Sequence, residues 1–434
     1  MTKERIIVLG AGLSGLSAAW HLQKLPAECM IFEKEAQAGG LCRSKNLSGF
    51  TFDYCGHLLH FRSPYALGLI KNLLKENLLE HKKSAWVYSY NRFTRYPFQA
   101  NLFGLPRPVI KECLCGFIRA QRTAQNQKGQ NHSFLDWIYG TFGKGIARHF
   151  MVPYNRKFWT VDPDDLTCDW FEGFIPKPSL KEIISGAVGE NKKIFGYNAV
   201  FWYPKKGGIQ EVPRLLSAQI KHLHLNHEAD CLDIRKKEVH FKNGKSYRYD
   251  SLVLTLPLPE IARLCRNLPS RVKVAVKNLN YNSILNLNLG ISAKGISDKH
   301  WVYFPEKKFV FFRAGFPTNF SSALSPNGAS SLYTEVSYSK EKPLDKERIV
   351  SQAIKGLRSA KIIQPSHKIL VQDINEIKYG YIIYDRLRAE AVKSIKGYLE
   401  KNRIFTLGRY GSWSYKSMED CLLDGKQIAG QLSN

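Results

Sequence analysis

The sequence predicts an α/β protein in three parts: a dinucleotide-binding domain assembled from separate stretches of chain, a mainly helical domain, and an antiparallel β-sheet domain. Three observations predict it. An apolar strand, a glycine loop and a helix open the chain, a helical pattern fills residues 103–195, and period-two alternation runs through residues 280–385. With 434 residues, 44% of them apolar and 12% aromatic, the chain can bury the cores this requires.

Residues 6–9, Ile-Ile-Val-Leu, read as a buried parallel strand, and residues 16–25 as a helix. Between them lies Gly10-Ala11-Gly12-Leu13-Ser14-Gly15. Gly10 permits the tight turn, Gly12 lets the backbone approach a pyrophosphate at the helix amino terminus, and Gly15 lets helix and strand pack closely. A second strand ends at Glu33, eighteen residues after Gly15, followed by Lys34. A carboxylate there accepts hydrogen bonds from a ribose diol, which makes this a Rossmann-type site. The segment Gly39-Gly40-Leu41-Cys42-Arg43 follows and resembles the second fingerprint of the large FAD family that includes amine oxidases, protoporphyrinogen oxidases and nucleotide-sugar mutases. The resemblance implies FAD, with Arg43 offsetting diphosphate charge.

Farther on, Gly56 and His57 sit in a turn within residues 49–61, and residues 66–79 form an amphipathic stretch. The helical region is interrupted by a polar surface loop at 122–132, after which Ser133 and Asp136 mark a helix start of capping-box type. Residues 238–250 form a hairpin turning at Asn243-Gly244, and the strand after it rejoins the cofactor domain. The stretches at 283–292, 309–316 and 331–338 read as strands. A last strand ends at Gly408-Arg409, and a closing helix from Met418 carries Glu419 and Asp420 toward the flavin. The cofactor domain therefore takes 1–75, 200–262 and 390–434, the helical domain 103–199, and the sheet domain 76–102 and 263–389.

Lys and Arg number 64 against 37 Asp and Glu, a net charge of +27. The basic residues are spread along the chain rather than gathered in blocks, which argues against nucleic acid. The excess suits anionic metabolites or peripheral contact with an anionic membrane. Nine scattered cysteines, no zinc-like spacing, no room for a signal peptide and no long apolar run point to a reduced, cytoplasmic protein without a metal.

Seven further stretches occur in one order: YPFQAN (96–101), FMVPYNRKFWTV (150–161), Asp169-Trp170, GYNAVFWYPKKGG (196–208), HWVYFPEKKFVFFRAG (300–315), YGY (379–381) and LGRYGSWSY (407–415). Together they resemble the UDP-galactopyranose mutases, especially those of eukaryotic type, over nearly the whole chain. In that family N5 of the reduced flavin attacks the anomeric carbon of a nucleotide hexose, and the ring recloses between pyranose and furanose with no net redox change. The resemblance implies that Tyr96, Phe98 and Gln99 border the nucleobase and that Asn155 and Trp159 continue the nucleotide site. It places Asn198 on the sugar or flavin side. Tyr303, Tyr381 and Tyr415 would donate to diphosphate oxygens that Arg313 neutralises. Arg409 would lie by flavin and substrate, Gly408 beside it, and Gly56 and His57 against the flavin. A reductant, NAD(P)H or another, would keep the flavin active.

The sequence departs from that pattern in places. Phe174 stands where the family carries a second clamping arginine, and Phe320 where it carries a tyrosine. Cys55 replaces a glycine before Gly56, and Met418-Glu419-Asp420 matches the family's Asn-Gln pair near the flavin poorly. Two phenyl rings in place of an arginine and a hydroxyl make a drier pocket. A redox flavoenzyme acting on a less polar substrate is the alternative.

Overall fold

The computed structural model describes residues 3–124, 133–171, 173–191, 193–196 and 198–433. Strand β1 (Arg5–Leu9) is apolar on both faces and lies inside a parallel five-stranded sheet. Helix α1 (Leu13–Leu22) follows, then β2 (Glu28–Phe32), paired in parallel with β1. The strand Ser251–Leu254 pairs with the other side of β1, and Ile404–Thr406 continues outward from it. The cofactor domain is thus discontinuous, as expected.

The end of the chain closes this domain. Gly408 N–H donates to Asp424 Oδ2 at 2.9 Å, and the Ser17 hydroxyl of α1 donates to the Leu422 carbonyl at 2.7 Å. The last helix, Met418–Leu432, starts with a full capping box between Ser417 and Asp420.

A seven-stranded sheet forms the second layer, centred on Ser283–Ile291 and Ser330–Tyr338. Every residue of Ser283–Ile291 is buried. The alternation seen in the sequence therefore separates two buried faces, and Asn286 and Asn288 join Asp373, Asn375 and Lys45 in a buried polar cluster. The sheet is antiparallel except where Trp301–Tyr303 runs parallel to Ala85–Val87, strands some 200 residues apart whose connection passes through the rest of the molecule. The expected strand at 309–316 is shorter, Arg313–Gly315, because Phe309, Phe311 and Phe312 are all buried rather than alternating. Val200–Pro204, which the sequence assigns to the cofactor domain, pairs instead with Leu78–Lys82. The hairpin Glu238–Arg248 turns at Gly244 (φ 83°) as expected, and adds to Ala229–Asp233 in a separate three-stranded sheet.

The helical part comprises Arg107–Ala124, Phe134–Ile146, a π-helical turn at Ala147–Met151, Val152–Trp159 and Leu180–Val188. The first of these extends through 122–124, and the remainder of the expected loop, 125–132, lies outside the described residues. Ser133 accepts from Asp136 N–H at the next helix start. Among the described residues no helix is long and apolar enough to cross a membrane.

Candidate functional site

The glycine loop packs as its spacing predicts. A Cβ on Gly15 would lie 1.9 Å from the Gly10 carbonyl oxygen, so only glycine fits there. Gly12 differs: a Cβ would meet nothing nearer than Gly40 Cα at 3.8 Å, and its φ of −71° suits any residue. Nothing among the described residues requires glycine at Gly12, which leaves an approaching ligand as the reason for it. Gly12 is also the N-cap of α1, with no side-chain oxygen on the first amides and no acid in the first turn. These amides are suited to a pyrophosphate.

The second glycine pair closes over the first, Gly12 bridging Gly39 and Gly39 N–H donating to the Ala11 carbonyl at 2.8 Å. Gly40 takes φ 58° within van der Waals reach of Gly12. Glu33 is buried and accepts from Ala11 N–H at 2.7 Å, which fixes its carboxylate at the loop. Arg43 donates to the Gly40 carbonyl at 2.8 Å. Ser14 and Leu13 are buried at the start of α1, where a Cβ on Gly408 would collide with Ser14 Oγ at 2.3 Å. The end of the last parallel strand thus lies against the glycine loop. Lys34 points to solvent beside Glu35. Glu419 binds Arg62 and Ser63 N–H at 2.7 and 2.6 Å, and Asp420 binds Arg62 and Ser417. Their carboxylates hold the chain at residues 62–63, a structural duty the sequence reading did not foresee.

From this cradle an aromatic arc runs across to the big sheet. The ring of Tyr96 is 5.0 Å from Tyr303, Tyr303 is 5.5 Å from Tyr154, and Tyr154 is 5.9 Å from Phe158. Phe158 lies 4.2 Å from Tyr381, Tyr381 6.4 Å from Tyr415, and the Arg409 guanidinium 4.8 Å over Tyr415. Phe174 packs edge-on to Tyr415 at 5.1 Å. Leu41 and Cys55 join Tyr154, Phe158 and Tyr381 on one small cluster around Phe312, which connects the cradle to the arc. Burial raises the hydroxyl pKa values of Tyr303 and, more strongly, Tyr154 and Tyr381, so these groups are hydrogen-bond donors at neutral pH.

Arg313 enters the arc with a partner the sequence reading missed. Its Nε and Nη2 donate to Glu335 at 2.7 and 2.9 Å, and Glu335 is 1% exposed. Burial alone would lower the Arg313 pKa, yet Glu335 holds it well above its ordinary value. The pair leaves Nη1 outside the carboxylate fork. With Arg409, two cations and one carboxylate give the Tyr381–Tyr415 end of the arc a net charge of +1, apart from Lys83 at the Tyr96 end.

His57 is half-buried between these groups. Burial, then the charges of Arg409 and Arg313, lower its pKa to about 4, so the ring is neutral at pH 7. Its Nδ1–H donates to the Cys55 carbonyl at 3.3 Å, which leaves Nε2 as an acceptor for a donor in the site. Cys55 holds φ 98° where a side chain is strained, and Gly56 N–H donates to Glu335 at 3.2 Å. Cys55→Gly is therefore expected to raise thermal stability slightly and keep flavin bound, measured by melting temperature and the flavin spectrum.

Other predicted residues lie deeper. Phe98 is fully buried and stacks on Phe150, and Phe320 packs among Phe201, Tyr203 and His300 in the core. Phe320 therefore does not dry the arc, as its sequence position suggested. Asn155 donates back to the Met151 carbonyl, and Trp159 is a wall behind Tyr381. Gln99 donates to the Pro176 carbonyl, while its Oε1, buried, has no hydrogen-bond partner among the described residues. Asn198 accepts from Lys83 at 2.7 Å, and Lys83 lies 5.5 Å over the Tyr96 ring. The sequence held a hint of Glu335, the single charge in the strand around it, but none of Lys83, which follows Lys82 in a charged run. A cleft of 1510 Å³ lined by Lys144, Arg148, Lys307 and Lys355 lies elsewhere and contains none of the predicted residues.

Residues 13–433 match the model of the flavin containing amine oxidoreductase family. The chain belongs to that family. It is an FAD-dependent enzyme, and the glycine cradle fits the cofactor the family carries. This amine oxidoreductase family member is 20% identical over 330 residues to coproporphyrinogen III oxidase of Bacillus subtilis (strain 168), covering 69% of each chain. It is 20% identical over 304 residues to protoporphyrinogen oxidase 2 of Arabidopsis thaliana, covering 60% of this chain and 59% of that one. Its structure matches that of a reduced UDP-galactopyranose mutase with a TM-score of 0.94 at 26% identity, over 99% of this chain and 95% of the other. Among the described residues no cluster of His, Cys, Asp and Glu could hold a metal ion.

Proposed function

We propose that this family member is a flavin-dependent nucleotide-sugar mutase that interconverts pyranose and furanose rings. The observation that carries the reading is the convergence of Arg313, Arg409 and the hydroxyls of Tyr303, Tyr381 and Tyr415 on one arc beside the flavin cradle. Buried cations and tyrosine hydroxyls stabilise the negative charge that grows on a leaving diphosphate. The likeness to the mutase structure, at 26% identity over nearly the full length, supports the same reading.

The reduced flavin, when bound, supplies the nucleophile for the anomeric carbon. The residues do the rest. Tyr96 offers the nucleobase a stacking face beside Lys83. Arg313 Nη1 and the tyrosine hydroxyls hold the diphosphate, while Glu335 fixes the guanidinium so that its orientation is not lost to rotation. The neutral His57 accepts a hydrogen bond through Nε2 without adding charge. With Phe174 where a second clamping cation would stand, the site meets a diphosphate with a net +1, which favours a leaving group held partly by hydroxyls.

A second reading, an oxidase for a less polar substrate, keeps the support of Phe174 and of the oxidase relatives. The test reduces the purified yellow protein with dithionite, or NAD(P)H, and incubates it with UDP-, GDP- and dTDP-hexoses. Isomers are expected only with reduced flavin. Anaerobic bleaching of the oxidised flavin by a porphyrinogen or amine, with no isomer from any donor, would establish the oxidase instead.

A further inference from the structure

The helix Leu180–Val188 is apolar on two sides. Ile183, Gly186 and Ala187 are buried on the inside, while Leu180, Ile184 and Val188 are 41%, 43% and 76% exposed along one outward row at i, i+4 and i+8. A helix with its inner face already packed has no reason to leave three aliphatic side chains in water.

The row is part of a larger patch. Phe103, 49% exposed, donates its backbone N–H to the Gly186 carbonyl, and it lines one depression with Phe93, Gly186 and Gly189. Ile194 is exposed as well, next to Lys193, which is tied to the helix through Glu182. Half of the twelve exposed large apolar side chains among the described residues fall in this one region. Cations outnumber acids around it: Lys177 and Lys181 at the helix start, Lys193 paired with Glu182, and Arg92 on the edge strand next to Phe93, against Glu190 in the depression. An apolar patch in a ring of lysine and arginine on a chain of net charge +27 is complementary to anionic headgroups over a hydrocarbon layer.

We propose that the outer face of Leu180–Val188, with Phe93 and Phe103, docks the protein peripherally on an anionic phospholipid bilayer. The same helix is tied to the Tyr96–Asn101 segment: a Cβ on Gly186 would lie 1.8 Å from the Ala100 carbonyl oxygen, and Gln99 donates to the Pro176 carbonyl just before the helix. Docking therefore leaves that buried segment one helix away from the lipid surface. This inference stands on the patch alone and does not require the mutase reading.

The experiment is flotation of the flavin-loaded protein with vesicles of phosphatidylcholine, with and without phosphatidylglycerol, at low and high salt. Binding is expected only with phosphatidylglycerol and to weaken with salt. Val188→Asp and Ile184→Asp should abolish it, and Lys177→Ala with Lys181→Ala should weaken it about thirty-fold. Val274→Asp, at an exposed apolar position elsewhere, should bind as the unaltered protein does. An unchanged flavin spectrum and melting temperature show that each variant is folded. No binding, or binding that survives Val188→Asp, overturns the proposal. A dimer in sedimentation that Val188→Asp dissociates, with no lipid binding, overturns it in favour of a second copy of the chain on this face.

Discussion

Replacing Arg313 by Ala is expected to abolish turnover and to lower folding stability by about 3–5 kcal/mol, because Glu335 would be left as an unpaired buried charge. The two losses have different origins. Activity falls because the site loses the guanidinium on which the diphosphate rests, an effect of about a hundred- to a thousand-fold for one such donor. Stability falls because Glu335 at 1% exposure keeps the Gly56 N–H and the Cys55 thiol but no cation. Removing both charges separates them: Arg313→Leu with Glu335→Leu should recover most of the melting temperature while turnover stays at background. Chemical denaturation of the single and double variants, with flavin content recorded in parallel, measures this. A double variant as unstable as Arg313→Ala would show that the pair does not carry the destabilisation.

Gly12→Ala and Gly15→Ala are expected to differ sharply although they sit three residues apart. At Gly15 the new methyl group meets a carbonyl oxygen at 1.9 Å, a backbone collision that no rotamer change relieves. Folding should lose about 4 kcal/mol or more. At Gly12 the methyl group has room, so the variant should melt near the unaltered apoprotein yet lose flavin, because the cofactor's pyrophosphate needs that space. Gly397→Ala, on the open face of the helix Arg388–Lys401, is the contrast and should gain about 0.5–1 kcal/mol. Calorimetry of the apoproteins and absorbance titration with FAD distinguish the cases. Normal flavin affinity in Gly12→Ala would remove the pyrophosphate from that loop.

These contrasts also show which parts of the molecule are legible in a sequence. Gly10, Gly12 and Gly15 can be read because their constraint is local: strand, turn and helix follow one another within twenty residues. The closing strand and helix at 404–432 can be read for the same reason. Tyr96, Tyr303, Tyr381 and Tyr415 come from four distant segments, and nothing in their neighbours marks them; only the order of whole motifs does. Glu335 could not be paired with Arg313 from spacing, since the contact is made by register between two antiparallel strands. Phe320 shows the opposite failure. Its motif position points to the pocket, but Phe201, Tyr203 and His300 close around the ring and take it into the core. Cys55 could be placed next to His57 from the sequence, whereas its strained backbone could be seen only in the fold.

The contact of Ser14 with Gly408, and of Ser17 with Leu422, sets an order on the protein's synthesis. The glycine loop leaves the ribosome well before the strand Ile404–Thr406 and the helix Met418–Leu432 that complete the cradle. A nascent chain halted before residue 404 holds half a binding site and a five-stranded sheet lacking its outer strand. Flavin capture is thereby tied to synthesis of the helix Met418–Leu432, and a product that stops short of residue 404 is born without its colour.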